Sequence, residues 1–123
     1  MPYELMWEPR GVVKTLIGVV DDDEFIKATE EIQNNSRFDN LRFVINDFSK
    51  VTAFEVSESC LEYASAMSRG ARYHNDRIKI ALVINNSTLL SNICNFSVSY
   101  PIPYPKKIFN SLADARLWCE EDG

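Results

Sequence analysis

Polar side chains that could form hydrogen bonds to a partner follow a short apolar run in the first half of the chain. The run spans residues 43–45 (Phe-Val-Ile), and the polar segment spans residues 46–50 (Asn-Asp-Phe-Ser-Lys). An apolar, β-branched run of this kind is typical of a strand buried on both faces. In an open α/β sheet, ligands and partners bind outside the carboxyl ends of the strands. Asp47, Ser49 and Lys50 are therefore candidate contact residues, although Asp47 and Ser49 are also residue types that form turns by bonding nearby backbone.

A helix is predicted to follow this segment directly. Residues 52–55 (Thr-Ala-Phe-Glu) have the spacing of a capping box, in which the first and fourth residues satisfy each other's backbone N–H groups. The helix is predicted to end near residues 69–72, where two arginines suit the C-terminal end of the helix dipole. Small and apolar residues three or four positions apart give the helix one inward face: Ala53, Val56, Cys60, Ala64, Met67 and Ala71.

Groups suited to catalysis or metal binding are sparse. The one histidine, His74, lies between this helix and the next strand, several helical turns from Cys60, while its pairing with Cys94 or Cys119 stays open. The three cysteines have neither a metal-ligand spacing nor a disulfide pattern and are predicted to be buried thiols. No glycine-rich phosphate loop is present. We therefore predict no catalytic residue, no metal and no cofactor, and a protein that is not an enzyme.

Charge and hydropathy narrow the class of partner. The net charge is −5 and the pI is about 4.8, which disfavours binding to a phosphate backbone. No window reaches the ~20 apolar residues that a membrane span needs, and residues 1–9 do not have the pattern of a signal peptide. We expect a cytoplasmic protein that neither binds nucleic acid nor inserts stably into a membrane.

The rest of the chain alternates between strand and helix patterns without a linker. Pro9 and Gly11 predict a turn between two N-terminal strands, which form a hairpin. The acidic residues 21–23 predict a helix cap rather than a metal site. Strands are predicted at 3–7, 12–17, 43–45, 77–84 (the strongest, and so central) and 107–109, and helices begin near residues 21, 52, 85 and 111. The predicted fold class is α/β: residues 1–123 form a single domain with a mostly parallel five-stranded sheet, an N-terminal hairpin and the order β-β-α-β-α-β-α-β-α.

This order, and four segments within it, resemble the STAS superfamily, and most closely the small SpoIIAA-like (STAS/SEC14-type) bacterial proteins. The segments are residues 12–17, 43–50, 77–84 and 107–118, the last being a short strand that leads into an Ala- and Trp-containing helix. The resemblance covers nearly the whole chain. It implies a SpoIIAA-like fold and a non-enzymatic binding or regulatory module.

The resemblance also singles out Ser57. In phospho-regulated STAS proteins an Asp-Ser-Ser-Gly turn carries the phosphorylated serine, and that position falls here on Ser57 within Glu-Val-Ser-Glu (residues 55–58). With a helix starting at Thr52, Ser57 is predicted to lie one turn inside it. The charges of Glu55 and Glu58 on either side would then oppose a phosphate.

Two functions from different classes follow. The first is a protein-interaction or regulatory module that presents residues 46–50, the start of the next helix and residues 85–88. The second is a small-molecule or lipid-binding protein with an apolar pocket between sheet and helices, which the SEC14 likeness implies. Tyr100 and Tyr104, in a proline-rich extended segment, either mark a surface for a protein partner or a homodimer or pack against the sheet edge.

Overall fold

The computed structural model describes residues 3–99 and 102–121, except for the side chains of residues 96–99. Strands and helices alternate in this part of the chain in the order that the sequence predicts. The strands are β1 (Tyr3–Trp7), β2 (Gly11–Asp21), β3 (Phe43–Glu55), β4 (Lys79–Val83) and β5 (Lys106–Phe109). The helices are α1 (Asp22–Gln33), α2 (Glu58–Ala71), α3 (Ser87–Ser99) and α4 (Leu112–Glu120), with a short 3-10 turn at Phe38–Asn40.

The five strands form one sheet in which they lie in chain order, β1-β2-β3-β4-β5. β1 and β2 pair antiparallel, with Trp7 opposite Val12, so the predicted hairpin is confirmed. The other three pairings are parallel, which confirms the predicted fold class. The prediction that the strand in residues 77–84 is central needs a correction. β4 is an interior strand between β3 and β5, but the middle position belongs to β3.

The largest correction concerns the boundary between β3 and α2. Residues 52–55 are not the first turn of a helix, because they continue β3 and pair with the end of β2, with Phe54 opposite Val20 and Glu55 opposite Asp21. α2 begins only at Glu58, and Ser57 is its N-cap. The capping-box pattern at Thr52 was overridden by tertiary pairing, since the hydrogen bonds that this segment gains along β2 outweigh one local cap.

β2 is also longer than predicted, because it continues through Gly18 to Asp21. Gly18 has a φ of +69°, a left-handed conformation that glycine adopts without a steric penalty. The register between β2 and β3 shifts beside this residue, between Gly18 and Val19, and again between Thr15 and Ile17. At each shift β3 has one residue more than β2, as in a β-bulge. β2 therefore continues through Gly18 to Asp21 beside the bulged strand β3 instead of ending at Ile17, where the sequence predicts its end.

The helices cover the two faces of the sheet unequally. On one face, apolar residues of α1, α2 and α3 pack with those of the strands around Leu16 and Phe48. On the other face only α4 contributes to a core cluster of the described residues, through Ala115 and Cys119 packed on the strands around Ile45. The β2–β3 pair extends past both neighbours, since β1 pairs only with residues 12–16 and β4 only with residues 43–47. We call its protruding part, residues 17–21 and 50–55, the β2–β3 ribbon.

The proline-rich segment does not present Tyr104 to a partner. Tyr104 is buried, and its hydroxyl donates a hydrogen bond to the backbone oxygen of Asn75 at 2.9 Å. The Asn75 side chain in turn donates to the backbone oxygens of Phe38 and Leu41. Packing, rather than an exposed contact, is thus the role of Tyr104. Tyr100 lies outside the described residues.

The three cysteines and the histidine differ in how far they are buried. Cys60 and Cys119 are buried, and burial raises the pKa of each thiol to about 11, so both are thiols rather than thiolates near neutral pH. Cys94 is half-buried, and none of the three is in a disulfide. His74 is exposed in the turn that follows α2. Within residues 3–99 and 102–121 no helix has the length and hydropathy to cross a bilayer.

Candidate functional site

The first candidate site lies at the end of the β2–β3 ribbon, where two parallel strands stop side by side and two helices start. Asp21 ends β2 and caps α1, because its side chain accepts a hydrogen bond from the Glu24 N–H at 3.0 Å. Ser57 follows β3 and caps α2 in the same way, with its Oγ accepting from the Cys60 N–H at 3.2 Å. The carboxyl end of parallel strands is where open α/β sheets place their sites, and the N-terminus of a helix attracts negative charge.

A double hydrogen bond joins the two helix starts. Asp22, the first residue of α1, accepts from the Ser57 backbone N–H at 2.7 Å through Oδ1 and from the Ser57 hydroxyl at 2.7 Å through Oδ2. The Ser57 Oγ also lies 3.2 Å from the hydroxyl of Ser59. These bonds from Ser57 lower the pKa of the Asp22 carboxyl below its ordinary value, because they stabilise the charged form. Ser57 is therefore exposed but held in one orientation.

This end of the molecule is acidic. Carboxylates stand at the last positions of the two strands and in the first turns of the two helices: Asp21, Asp22, Asp23, Glu24, Glu55 and Glu58. No group of three or more His, Cys, Asp or Glu side chains in the described residues is arranged to hold a metal ion. Asp21 is occupied as a cap and Asp22 as an acceptor for Ser57, so two members of the predicted cap segment have structural partners.

The other predicted contact residues lie elsewhere along β3. Residues 46–50 are not a loop after the strand but its middle, which corrects the prediction that a turn begins there. Asp47 still makes the local bond expected of its type, since its Oδ1 accepts from the Ser49 N–H at 2.9 Å beside the register shift. Ser49 and Lys50 are exposed. Eight strand positions separate Asp47 from Glu55, roughly 25 Å of extended chain, so these residues do not join the Ser57 cluster.

The second candidate site is a cavity between the sheet and the helices α1, α2 and α3. Its volume is about 190 Å³, and most of the side chains that line it are apolar. Half-buried polar side chains line it as well, from α1 (Thr29 and Gln33), α2 (Ser68) and β5 (Lys106). The second function inferred from the sequence, binding of a small molecule or lipid, required an apolar pocket between sheet and helices, and this cavity lies there.

Two buried polar residues, Lys14 and Asn46, share one part of this cavity. They are register partners on β2 and β3, and their exposed fractions are 6% and 8%. Neither side chain forms a hydrogen bond with the described part of the chain, and the Lys14 Nζ lies 5.7 Å from the centre of the Phe25 ring. Burial lowers the pKa of Lys14 to about 8. An ammonium group with this little compensation is uncommon inside a protein.

The alternation of side chains along the two strands already indicates that Lys14 and Asn46 face the helices, although the strand prediction did not use it. Side chains alternate between the two faces of a strand, so Lys14 has the phase of Val12 and Leu16. Asn46 likewise has the phase of Val44 and Phe48. Once those apolar neighbours face the helices, the polar residues between them must also face the helices.

The comparisons with known proteins rest on structure alone, because no protein-family model and no curated sequence matches the chain. The unphosphorylated form of the anti-sigma factor antagonist SpoIIAA superposes with a TM-score of 0.58 at 16% identity, over 94% of both chains. The chain has a SpoIIAA-like fold. The phosphorylated form of the Bacillus cell fate determinant SpoIIAA gives a TM-score of 0.56 at 16% identity, over 94% of this chain and 97% of that one.

A third solved structure also has this SpoIIAA-like fold. It is a DUF3478-family protein from Shewanella loihica PV-4, with a TM-score of 0.54 and 11% identity over 95% of this chain and 91% of that one. These identities are low, so the likeness establishes the SpoIIAA-like fold and leaves the function of the chain to its own residues.

Proposed function

We propose that the protein is a non-enzymatic regulatory module that binds a protein partner through the end of the β2–β3 ribbon, in the cytoplasm. The observation that supports this most directly is the position of Ser57, an exposed hydroxyl at a helix N-terminus that is held by Asp22. SpoIIAA, which shares the fold, is an anti-sigma factor antagonist with a phosphorylated form. Ser57 is the residue that we propose is phosphorylated here.

Ser57 caps α2 instead of lying one turn inside it, so its hydroxyl stands at the positive end of the helix, although Glu55 and Glu58 still flank it. A phosphate at this position would meet the N–H groups of the first turn and the positive end of the helix dipole. It would also remove the hydrogen bond that the Ser57 hydroxyl donates to Asp22, and would add a charge of about −1.5 to −2 beside that carboxylate. Phosphorylation is therefore expected to separate Asp22 from Ser57 and to change the surface that a partner meets.

Asp47, Ser49 and Lys50 form a second proposed part of the contact surface. Ser49 and Lys50 are exposed, and β3 beyond Asp47 has no partner on its β4 side among the described strands. Lys50 gives this stretch a cation, in contrast with the acidic end around Ser57. A partner that covers both parts would need a basic patch near Ser57 and a hydrogen-bonding edge near Ser49.

The experiment compares Ser57→Asp with Ser111→Asp. Ser111 is the matched control, because it caps α4 on the other face with the same 3.2 Å bond from a backbone N–H, and aspartate is as good a cap as serine. Tagged wild type and both variants are used to capture partners from the native cells, and bound proteins are quantified. We expect a set of partners shared by wild type and Ser111→Asp to be depleted with Ser57→Asp.

Intact mass and fragment analysis of the protein from the same cells is expected to locate a phosphate on Ser57. If no phosphate is found there in any growth phase and Ser57→Asp retains every partner of the wild type, the proposed switch is wrong.

A second function, binding of a small apolar molecule, is favoured by the cavity under α1, α2 and α3. Its volume of about 190 Å³ exceeds the ~150 Å³ of an engineered apolar cavity that binds benzene. Native mass spectrometry of the purified protein tests this function. A bound mass that organic extraction removes would support it.

A further inference from the structure

We propose that the cavity binds a small carboxylic acid with an apolar tail, and that Lys14 and Asn46 hold the carboxylate. This inference rests on the second proposed function, occupancy of the cavity, and adds the chemical class of the ligand. The polar pair lies on neighbouring strands in one part of the cavity, while most other lining side chains are apolar. A ligand with one anionic end and an apolar body matches the polar pair at its anionic end and the apolar lining along its body.

The charges around the cavity define the sign of the ligand. Among the described residues that line it, the charged side chains are Lys14 and Lys106, and no Asp or Glu is present. Lys106 is half-buried, whereas Lys14 is 94% buried and has no hydrogen-bond acceptor among the described residues. A buried charge is costly unless it is paired. An anion from outside the chain supplies the partner that the described residues do not.

The charge of the anionic group follows from the number of buried ammonium groups. A carboxylate has one negative charge and neutralises the single buried ammonium, whereas a phosphate monoester would leave an excess charge in an apolar setting. The Asn46 amide can donate to the second carboxylate oxygen, because it has no hydrogen-bond partner in the described part of the chain. The pair thus offers donors on two adjacent strands to a planar group with two acceptor atoms.

The protonation state of Lys14 supports this assignment. With its pKa lowered to about 8 by burial, Lys14 is mostly protonated at pH 7 and mostly neutral at pH 9. A bound carboxylate would raise that pKa, since it favours the charged form. The other titratable groups in the lining are Lys106, whose pKa is lowered by burial, and Tyr104, whose pKa is raised by burial. Acid binding should therefore weaken as the pH rises through 8 and 9.

The experiment measures the dissociation constants of hexanoate, octanoate and decanoate and of the three matching alcohols by NMR titration of the full chain. The variants are Lys14→Met, which keeps the length of the side chain without its charge, and Lys27→Met, an exposed control on α1. For wild type at pH 7 we expect at least one acid to bind about tenfold or more tightly than its alcohol. Lys14→Met should remove this preference, and Lys27→Met should keep it.

Each result has one meaning. If no acid and no alcohol binds, the cavity function fails, and this inference fails with it. If alcohols bind as tightly as acids to the wild type at pH 7, the cavity function stands and the carboxylate assignment is overturned. An acid preference that survives in Lys14→Met also overturns it. Should Lys14→Met fail to fold, the wild type decides alone: the preference for acid over alcohol must fall between pH 7 and pH 9.

Discussion

Asp22 is the side chain on which the arrangement around Ser57 depends. Its two carboxylate oxygens accept from the N–H and the hydroxyl of one residue that is 35 positions away in the chain. No other described side chain forms a bidentate contact across the ends of two adjacent strands in this site. Ser57 supplies the two donors, and the charge of Asp22 makes both bonds stronger than neutral ones.

Replacing Asp22 with Asn is expected to lower the free energy of unfolding at neutral pH. The folded-state pKa of Asp22 lies below its ordinary value of 3.8, so its carboxylate stabilises the fold above that pH. The stabilisation is lost as the pH falls through the lowered pKa, because both states are then protonated. Urea unfolding of wild type and Asp22→Asn at several pH values should give a difference that is present at pH 7 and vanishes in acid.

Asp23→Asn is the control for this prediction, because Asp23 is exposed on the same turn of α1. It removes the same charge from the same helix terminus, so it corrects for the helix dipole. If both variants lose the same stability at neutral pH, the contact with Ser57 contributes nothing beyond the dipole.

At the scale of elements, the pairing of β2 with β3 depends on Gly11, the first residue of β2. Gly11 is opposite Phe43, and a Cβ atom at Gly11 would lie 2.3 Å from Cε1 of that ring. The Phe43 ring is buried against the α4 face of the sheet and has little space to move. The absence of a side chain at residue 11 therefore allows the parallel strands to start side by side.

Gly11→Ala is expected to lower the free energy of unfolding by about 1–3 kcal/mol, since it overpacks a buried aromatic ring. Gly70→Ala is its matched control: Gly70 lies in α2, where an added Cβ meets nothing within 4 Å. Alanine is the better helix former there, so this change should raise the free energy of unfolding by about 0.5–1 kcal/mol. Chemical denaturation of both variants tests the pair, and opposite signs are the expected result.

The boundary of β3 marks the limit of what local sequence could predict. Thr52 and Ser57 are both good N-cap residues, and Thr52 has in addition a glutamate three positions later. Nothing within residues 50–60 says that residues 17–21 continue as a strand and offer a pairing partner. The existence of the strand and of the helix could therefore be predicted from their patterns, whereas the point of change between them depended on a contact with β2.

At the scale of the whole molecule, Lys14 makes the fold less stable than it could be. Its pKa falls from 10.5 in the ordinary state to about 8 in the folded protein. Such a difference corresponds to a cost of about 3 kcal/mol at neutral pH. Marginal stability makes that a large fraction of the total for a domain of this size. A cavity lined by a lysine that costs stability is what a binding site for an anion requires.

Lys14→Met is expected to raise the free energy of unfolding by about 3 kcal/mol at pH 7, because it removes the buried charge. Between pH 8 and pH 10.5 the unfolded chain binds more protons than the folded one, so the wild type gains stability as the pH rises. The advantage of the variant should therefore be constant below pH 8 and shrink above it. Denaturant unfolding from pH 7 to pH 10 measures this difference, and Lys27→Met should differ little from the wild type throughout.

The fold as a whole could be predicted because strand patterns and helix patterns alternate along the sequence, from the hairpin at Pro9 to the cap at Ser111. The sites could not be predicted equally well. The Asp22–Ser57 contact joins two helix starts that only the folded sheet brings together, and the cavity around Lys14 exists only between layers. Sequence patterns specify which face a residue occupies, but not what lies opposite it.

The match between sheet order and chain order also bears on how the molecule is made. Each of the strands β2 to β5 pairs with the strand synthesised just before it, so no pairing has to wait for a distant segment. A chain that has emerged from the ribosome as far as Glu55 contains every strand that β1 and β2 need. β4 and β5 follow in the chain and lie in that order at one edge of the sheet, and α4, which covers the second face, comes after them. We expect this order to shorten the time for which an unpaired strand edge is exposed during synthesis, and unpaired edges are where incomplete chains aggregate.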